Sequence, residues 1–188
     1  MQKRTLAIWR FITACVWLLP LSLQASYYPD KYDSAFKDAA IFLPYPNDWR
    51  LLKAQCWQES RLNPIAVSPV GAFGLCQFMP GTAKDMKRQY GLGNLWIPEQ
   101  SIFAAARYMG TLGRTWKSKR SWQSRYQLAL GSYNAGAGNL IKAQRKCGGA
   151  VEYEQIAPCL IHVTGKHHKE TLHYVDVIWH RWWPRMQD

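Results

Sequence analysis

Glu59 is the residue in this 188-residue chain whose setting points to chemistry. Trp49, Leu52 and Cys56 recur at offsets of three and four, an apolar stripe along one helix face, and Glu59 takes the next position on it. A carboxylate at the end of such a stripe loses part of its water. Desolvation disfavours the charged form and raises the pKa, so the group can hold a proton near neutral pH. A general acid has to do this. The plain alternative is a glutamate that snorkels to solvent or pairs with Arg61 or another cation.

A Gly-rich stretch follows directly. Asn63-Pro64 closes the predicted helix. Ser68-Pro69 reads as a turn, and Gly71 and Gly74 permit positive φ or close backbone approach. Gln77 interrupts an otherwise apolar piece, residues 73–79. A buried amide there needs hydrogen-bond partners, and a ligand could supply them. The expected form is a short irregular hairpin or an extended wall. Further on, Tyr133 and Asn134 stand just before the turn Ala135-Gly136-Ala137-Gly138, where side chains can point into a cleft. Helix capping by Asn and space-filling by Tyr would account for the same pair.

The elements that must position these groups are helices. The pattern predicts a short helix over residues 30–43, ended by Pro44 and Pro46. The helix carrying Glu59 is expected to start with Asn47 as N-cap and Asp48 in its first turn. Further helices are expected over 82–90, stopped by Gly91, over 99–116, opened by Pro98, and over 122–134, 139–146 and 167–183. Residues 147–164 read as mixed loop and turn. There is no internal repeat and no low-complexity tract.

Composition bounds the rest. Hydrophobic residues make up 48% and charged residues 19%, which excludes a disordered chain. Ten Trp, ten Tyr and six Phe suit a sugar-binding cleft, or a small core filled with rings. The first 25 residues resemble a secretory signal: Lys3, Arg4 and Arg10, then a mostly apolar run, then Leu23-Gln24-Ala25. An uncleaved anchor, or a lipoprotein box at Cys15, is the alternative. The expected division is therefore a signal over 1–25, a leader over 26–46 and a catalytic domain over 47–183, with a periplasmic or secreted location. Without the three signal cations Lys3, Arg4 and Arg10 the net charge falls from +12 to +9, a surface suited to an anionic polymer. Nucleic acid is disfavoured, since export argues against it and no Lys/Arg run reaches the length of a binding arm. Four Cys remain after the signal, an even number that suggests disulfides. Cys147 and Cys159 bracket a short Gly/Pro-containing segment and form the favoured pair; Cys56 and Cys76 join each other or stay as buried thiols. No spacing resembles a zinc site, so neither metal nor other cofactor is expected.

Several stretches together resemble one family. Gln58-Glu59-Ser60, Asn63-Pro64 and the run from Ala66-Val67-Ser68-Pro69 through Gly74-Leu75-Cys76-Gln77 to Gly81-Thr82-Ala83 are similar to the signature of the soluble lytic transglycosylases. Ser132-Tyr133-Asn134-Ala135-Gly136 resembles a later segment of that family, and Glu170-Thr171 with Tyr174-Val175 its closing one. One departure is Cys76, where the family usually has Met. The resemblance implies a mainly α, goose-lysozyme-like single domain with a small irregular β/loop element beside the catalytic helix. It implies cleavage of the β-1,4 bond between N-acetylmuramic acid and N-acetylglucosamine in peptidoglycan. Glu59 would act first as acid and then as base, because a second carboxylate with a credible site context is missing from the sequence. Ser68, Gln77, Tyr133, Asn134 and Glu170 would bind substrate. The expected partners are glycan strands and a secretion or conjugation apparatus, with the protein itself a monomer. A hydrolytic muramidase on the same fold and a non-catalytic glycan-binding protein are the rival readings.

Overall fold

The computed structural model describes residues 28–187; the signal read over residues 1–25 lies outside these described residues. Its centre is helix α2, Trp49–Ser60. Helix α1, Asp33–Ala39, precedes it and continues as a 3-10 turn over Ala40–Phe42. After α2 come α3, Pro80–Tyr90, α4, Pro98–Thr115, α5, Trp122–Ala135, and α6, Ala137–Lys146. Short helices α7, Tyr153–Ile156, and α8, Ile161–Thr164, lead to α9, His168–Asp176. The chain then widens into a π-helix over Val177–Trp182 and ends in α10, Trp183–Arg185. Between α2 and α3 only isolated antiparallel bridges form, Val67 with Phe73 and Phe73 with Phe78. The architecture is mainly α, with the expected small β/loop element beside α2.

Helix α2 begins one residue later than the sequence suggests. Asp48, not Asn47, is the N-cap, and its carboxylate accepts from the Arg50 amide at 2.9 Å. Asn47 is held at φ 61° and donates instead to the carbonyl of Leu43, tying the helix entry to the end of the leader. The apolar stripe is also only part of the truth. Leu51 through Cys56 are buried all round, Lys53 and Gln55 included. Such a helix is a core element rather than a surface one. Lys53 meets this burial by pairing with Asp33 of α1 at 2.6 Å. The C-terminal segment clamps the other side: Trp182 Nε1 donates to Gln58 at 2.7 Å and Trp183 Nε1 to Asp48 at 2.9 Å. Residues of the leader therefore belong to the same core, with Phe36 and Ala39 fully buried.

Helix α4 lies against the leader through glycine. A Cβ at Gly110 would stand 2.2 Å from the Phe42 carbonyl oxygen, a backbone atom that cannot swing aside. Alanine is the better helix former by about 1 kcal/mol, yet here Gly110→Ala should destabilise, by about 1–3 kcal/mol as an overpacked site does. Thermal unfolding of the variant checks this; an increase in Tm would contradict the close approach.

Candidate active site

Glu59 is the penultimate residue of α2, and the backbone turns sharply beyond it. Arg61 and Leu62 both take left-handed conformations at φ 59°, a costly arrangement for residues other than Gly. Ser60 stabilises the turn: its hydroxyl donates to Leu75 O at 2.6 Å and accepts from Asn63 N at 3.0 Å. Arg61 donates to Trp57 O at 3.1 Å and its guanidinium lies 4.6 Å from the centre of the Trp182 ring.

The loop facing Glu59 is fixed from four directions at two adjacent residues. Leu75 accepts from Ser60 of α2, as above. Cys76 is joined to Cys56 of α2 by a disulfide. Its N–H donates to Ser101 Oγ of α4 at 3.2 Å, and its carbonyl accepts from the Tyr133 hydroxyl of α5 at 2.8 Å. Just before them Gly74, at φ +78°, lies against Leu95 O, where an added Cβ would fall at 2.5 Å. The favoured Cys147–Cys159 pair is a disulfide too, and of the two readings left open for Cys56 and Cys76 the bonded one holds.

The opposite side is α9. Tyr174 donates its hydroxyl proton to Glu59 Oε1 at 2.5 Å. Thr171 donates to Asn134 Oδ1 at 2.7 Å. Glu170 is exposed and lies near enough for its charge to act on Glu59. A cleft of about 350 Å³ opens here, lined by Asn134, Asn139, Thr164, His167, Glu170 and Thr171 among others.

These surroundings decide the protonation state of Glu59. Burial is the largest cause and lifts its pKa from the ordinary 4.5 to about 8. The Tyr174 hydrogen bond opposes the shift, and the Glu170 charge adds to it. The same burial pushes the Tyr133 and Tyr174 phenols well above their usual range, with the Glu59 charge as the next cause for both. At neutral pH the site holds a neutral carboxyl beside two neutral phenols. Among the described residues, no group of three or more His, Cys, Asp or Glu could hold a metal ion.

The residues picked out from sequence occupy different roles. Tyr133 of α5 and Glu170 of α9 lie near enough to Glu59 for their charges to interact, and Asn134 lines with Glu170 a cleft whose lining does not include Glu59. Ser68 and Gln77 belong to the loop wall and serve first to build it. Ser68 Oγ accepts from Ala72 N at 2.9 Å, closing the turn expected at Ser68-Pro69. Gln77, at φ 52°, is half-buried rather than buried and donates its amide to Ala66 O at 3.2 Å and Gly74 O at 2.9 Å, so backbone rather than ligand takes its N–H groups. Tyr174 carries the closest contact to Glu59 and was given no role from sequence. Its position four residues after Glu170, on the same face of one helix, was the available signal.

The chain belongs to the family of the transglycosylase SLT domain, whose model matches residues 43–156. Among curated proteins it is 37% identical over 114 residues to a membrane-bound lytic murein transglycosylase F of Hahella chejuensis, covering 61% of this chain and 21% of that one. A protein of the same name from Alcanivorax borkumensis is 33% identical over 133 residues, 69% of this chain and 26% of its own. The fold is similar to that of the 70 kDa soluble lytic transglycosylase of Escherichia coli, with a TM-score of 0.65 and 25% identity over 85% of this chain and 24% of that one. The match spans only about a fifth to a quarter of the length of these relatives.

Proposed function

We propose that the protein is a peptidoglycan lytic transglycosylase, acting in the periplasm or outside the cell, with residues 47–183 as its catalytic region. The observation that carries this reading is a single carboxyl, Glu59, held neutral near pH 7 within a family whose relatives are named for murein cleavage. Most glycosidases employ two carboxylates. Here Glu170, the other carboxylate near the site, is exposed and raises the pKa of Glu59 rather than sharing its environment. Glu59 would protonate the oxygen leaving the muramic carbon while the sugar's own 2-acetamido group stabilises the developing cation. The resulting carboxylate, in contact with the Tyr174 hydroxyl, would take the proton of the muramic C6 hydroxyl as that oxygen attacks C1. The product is a 1,6-anhydro ring, and no water is consumed.

The residues expected to bind substrate offer matching valences. The Tyr133 proton is engaged by Cys76 O, so its oxygen is left to accept, as an acetamido N–H requires. Thr171 occupies Asn134 Oδ1 and leaves Nδ2 to donate. Gln77 offers Oε1 as an acceptor and Ser68 its hydroxyl proton as a donor. Mass spectrometry of muropeptides released from purified sacculi tests the proposal. Anhydromuramic ends are expected; reducing muramic ends alone would assign the protein to the hydrolases.

A further inference from the structure

The basic charge of the chain is unevenly placed. Helix α6 carries Lys142, Arg145 and Lys146 and no acidic residue. Residues 161–169, from α8 through a 3-10 turn over Gly165–His167 into α9, carry Lys166, Lys169 and three His, again without an acid. These five Lys and Arg side chains are exposed, and none of them makes an ion pair with the described residues. Helices α6 and α8 pack together beside the cleft of about 350 Å³, which Asn139 lines from α6, Thr164 from α8 and His167 from the turn. Lys142 and Lys146 follow Asn139 by three and seven residues, on its side of the helix. Lys166 adjoins His167 in the chain. Cations therefore stand along the outer edge of the cleft. The one acid in its lining is Glu170, whose charge acts on Glu59.

Two kinds of glycan strand distribute charge differently. In a peptide-bearing strand the lactyl group of muramic acid is a neutral amide, and the carboxylates lie out along the stem peptide. In a strand stripped of its peptides the lactyl carboxylate is free and sits on the sugar itself. The first pattern matches the cleft, with a neutral group against Glu170 and anionic groups against the lysines. The second sets one carboxylate against another and leaves the lysines without a partner. We propose that the cleft selects peptide-bearing strands: Lys142, Lys146 and Lys166 take the carboxylates of the stem peptide, and Glu170 repels the free lactyl carboxylate of a stripped strand. Like charges discriminate against the wrong ligand as opposite charges favour the right one.

This selection rests on the transglycosylase reading and is measured, in the full chain, as a ratio. The ratio compares kcat/KM on soluble peptide-bearing strands with kcat/KM on the same strands stripped by an amidase. Wild type should favour the peptide-bearing strands about 10-fold, and added salt should narrow the difference, since exposed charges are screened. Lys142→Glu with Lys146→Glu should cut the ratio about fivefold, as a few exposed charge contacts allow, and the change should appear in KM. Glu170→Gln should narrow it from the other side, because any effect through Glu59 is common to both strands and cancels. Lys117→Glu with Lys119→Glu makes an equal charge change at the opposite end of α5 from Asn134, about 20 Å away, and should leave the ratio at its wild-type value. A wild-type ratio near one, or an equal fall in the two double variants, overturns the proposal. Release of no product from either strand sinks the functional reading alone. Equilibrium binding of the two strands to wild type and to the Lys142/Lys146 variant then decides the selection: tighter binding of the peptide-bearing strand, lost in the variant, supports it, and equal affinities reject it.

Discussion

Glu59→Gln should reduce muropeptide release by about 10³-fold, the range expected for loss of a general acid, while making the fold more stable. Both effects have one cause. The amide keeps the shape of the side chain but can neither give a proton to the leaving oxygen nor take one from the C6 hydroxyl. It also has no charge to desolvate. The wild-type carboxyl has a pKa of about 8 folded against an ordinary 4.5. Below pH 4.5 both folded and unfolded chains hold the proton, and the group leaves stability untouched. Between pH 4.5 and 8 the folded state still holds a proton that the unfolded chain has released. Rising pH therefore favours unfolding by up to about 1.4 kcal/mol per pH unit in that window. The glutamine variant escapes this penalty. Its advantage in Tm should be absent near pH 4, grow toward pH 8 and then level off. The wild-type rate should fall as pH rises through about 8, where the acid form disappears. A stability difference constant with pH would show that the carboxyl is not desolvated.

Removing the Cys56–Cys76 disulfide should have the second-largest effect. The bond closes a loop with a sequence separation of 20, and the chain-entropy model assigns such a loop about 3 kcal/mol. Both cysteines are completely buried. The functional consequence follows from position: the bond joins the helix presenting Glu59 to the residue whose carbonyl holds Tyr133. Replacing both cysteines by alanine should lower stability by about 3 kcal/mol and remove most of the activity. The Cys147–Cys159 bond, with a separation of 12, closes a segment distant in the chain from the Glu59 loop. Its removal should cost a comparable amount in denaturant unfolding and leave the activity of the folded fraction largely intact. Equal loss of activity in the two variants would contradict the assignment of the first bond to the site.

Local signals carried much of this to the surface of the sequence. Pro98 opens α4, Gly91 caps α3 at φ +70°, and the stripe through Leu52 and Cys56 located Glu59, because each depends on a few neighbouring residues. The N-cap of α2 was misplaced by one residue because Asn47 and Asp48 are both good caps. What separates them is the contact of Asn47 with Leu43 and of Asp48 with Trp183, which no local pattern records. Burial of the whole of α2 was hidden for a similar reason. Lys53 and Gln55 are polar residue types, and their burial becomes visible only once the fold closes around α2, with Asp33 pairing Lys53. Gln77 was legible as an amide needing partners, but the sequence could not tell a ligand from the carbonyls of Ala66 and Gly74. Tyr174 lies 115 residues from Glu59, a pairing that only the fold creates.

Proton donation by Glu59 requires a glutamic acid that is still protonated at neutral pH. Site-resolved ¹³C NMR of the Glu59 carboxyl across pH 3–10, identified by its absence in Glu59→Gln, measures this directly. A single titration near pH 8 is the predicted result. A titration near the ordinary 4.5 would contradict the account, because an ionised Glu59 has no proton to give to a glycosidic oxygen.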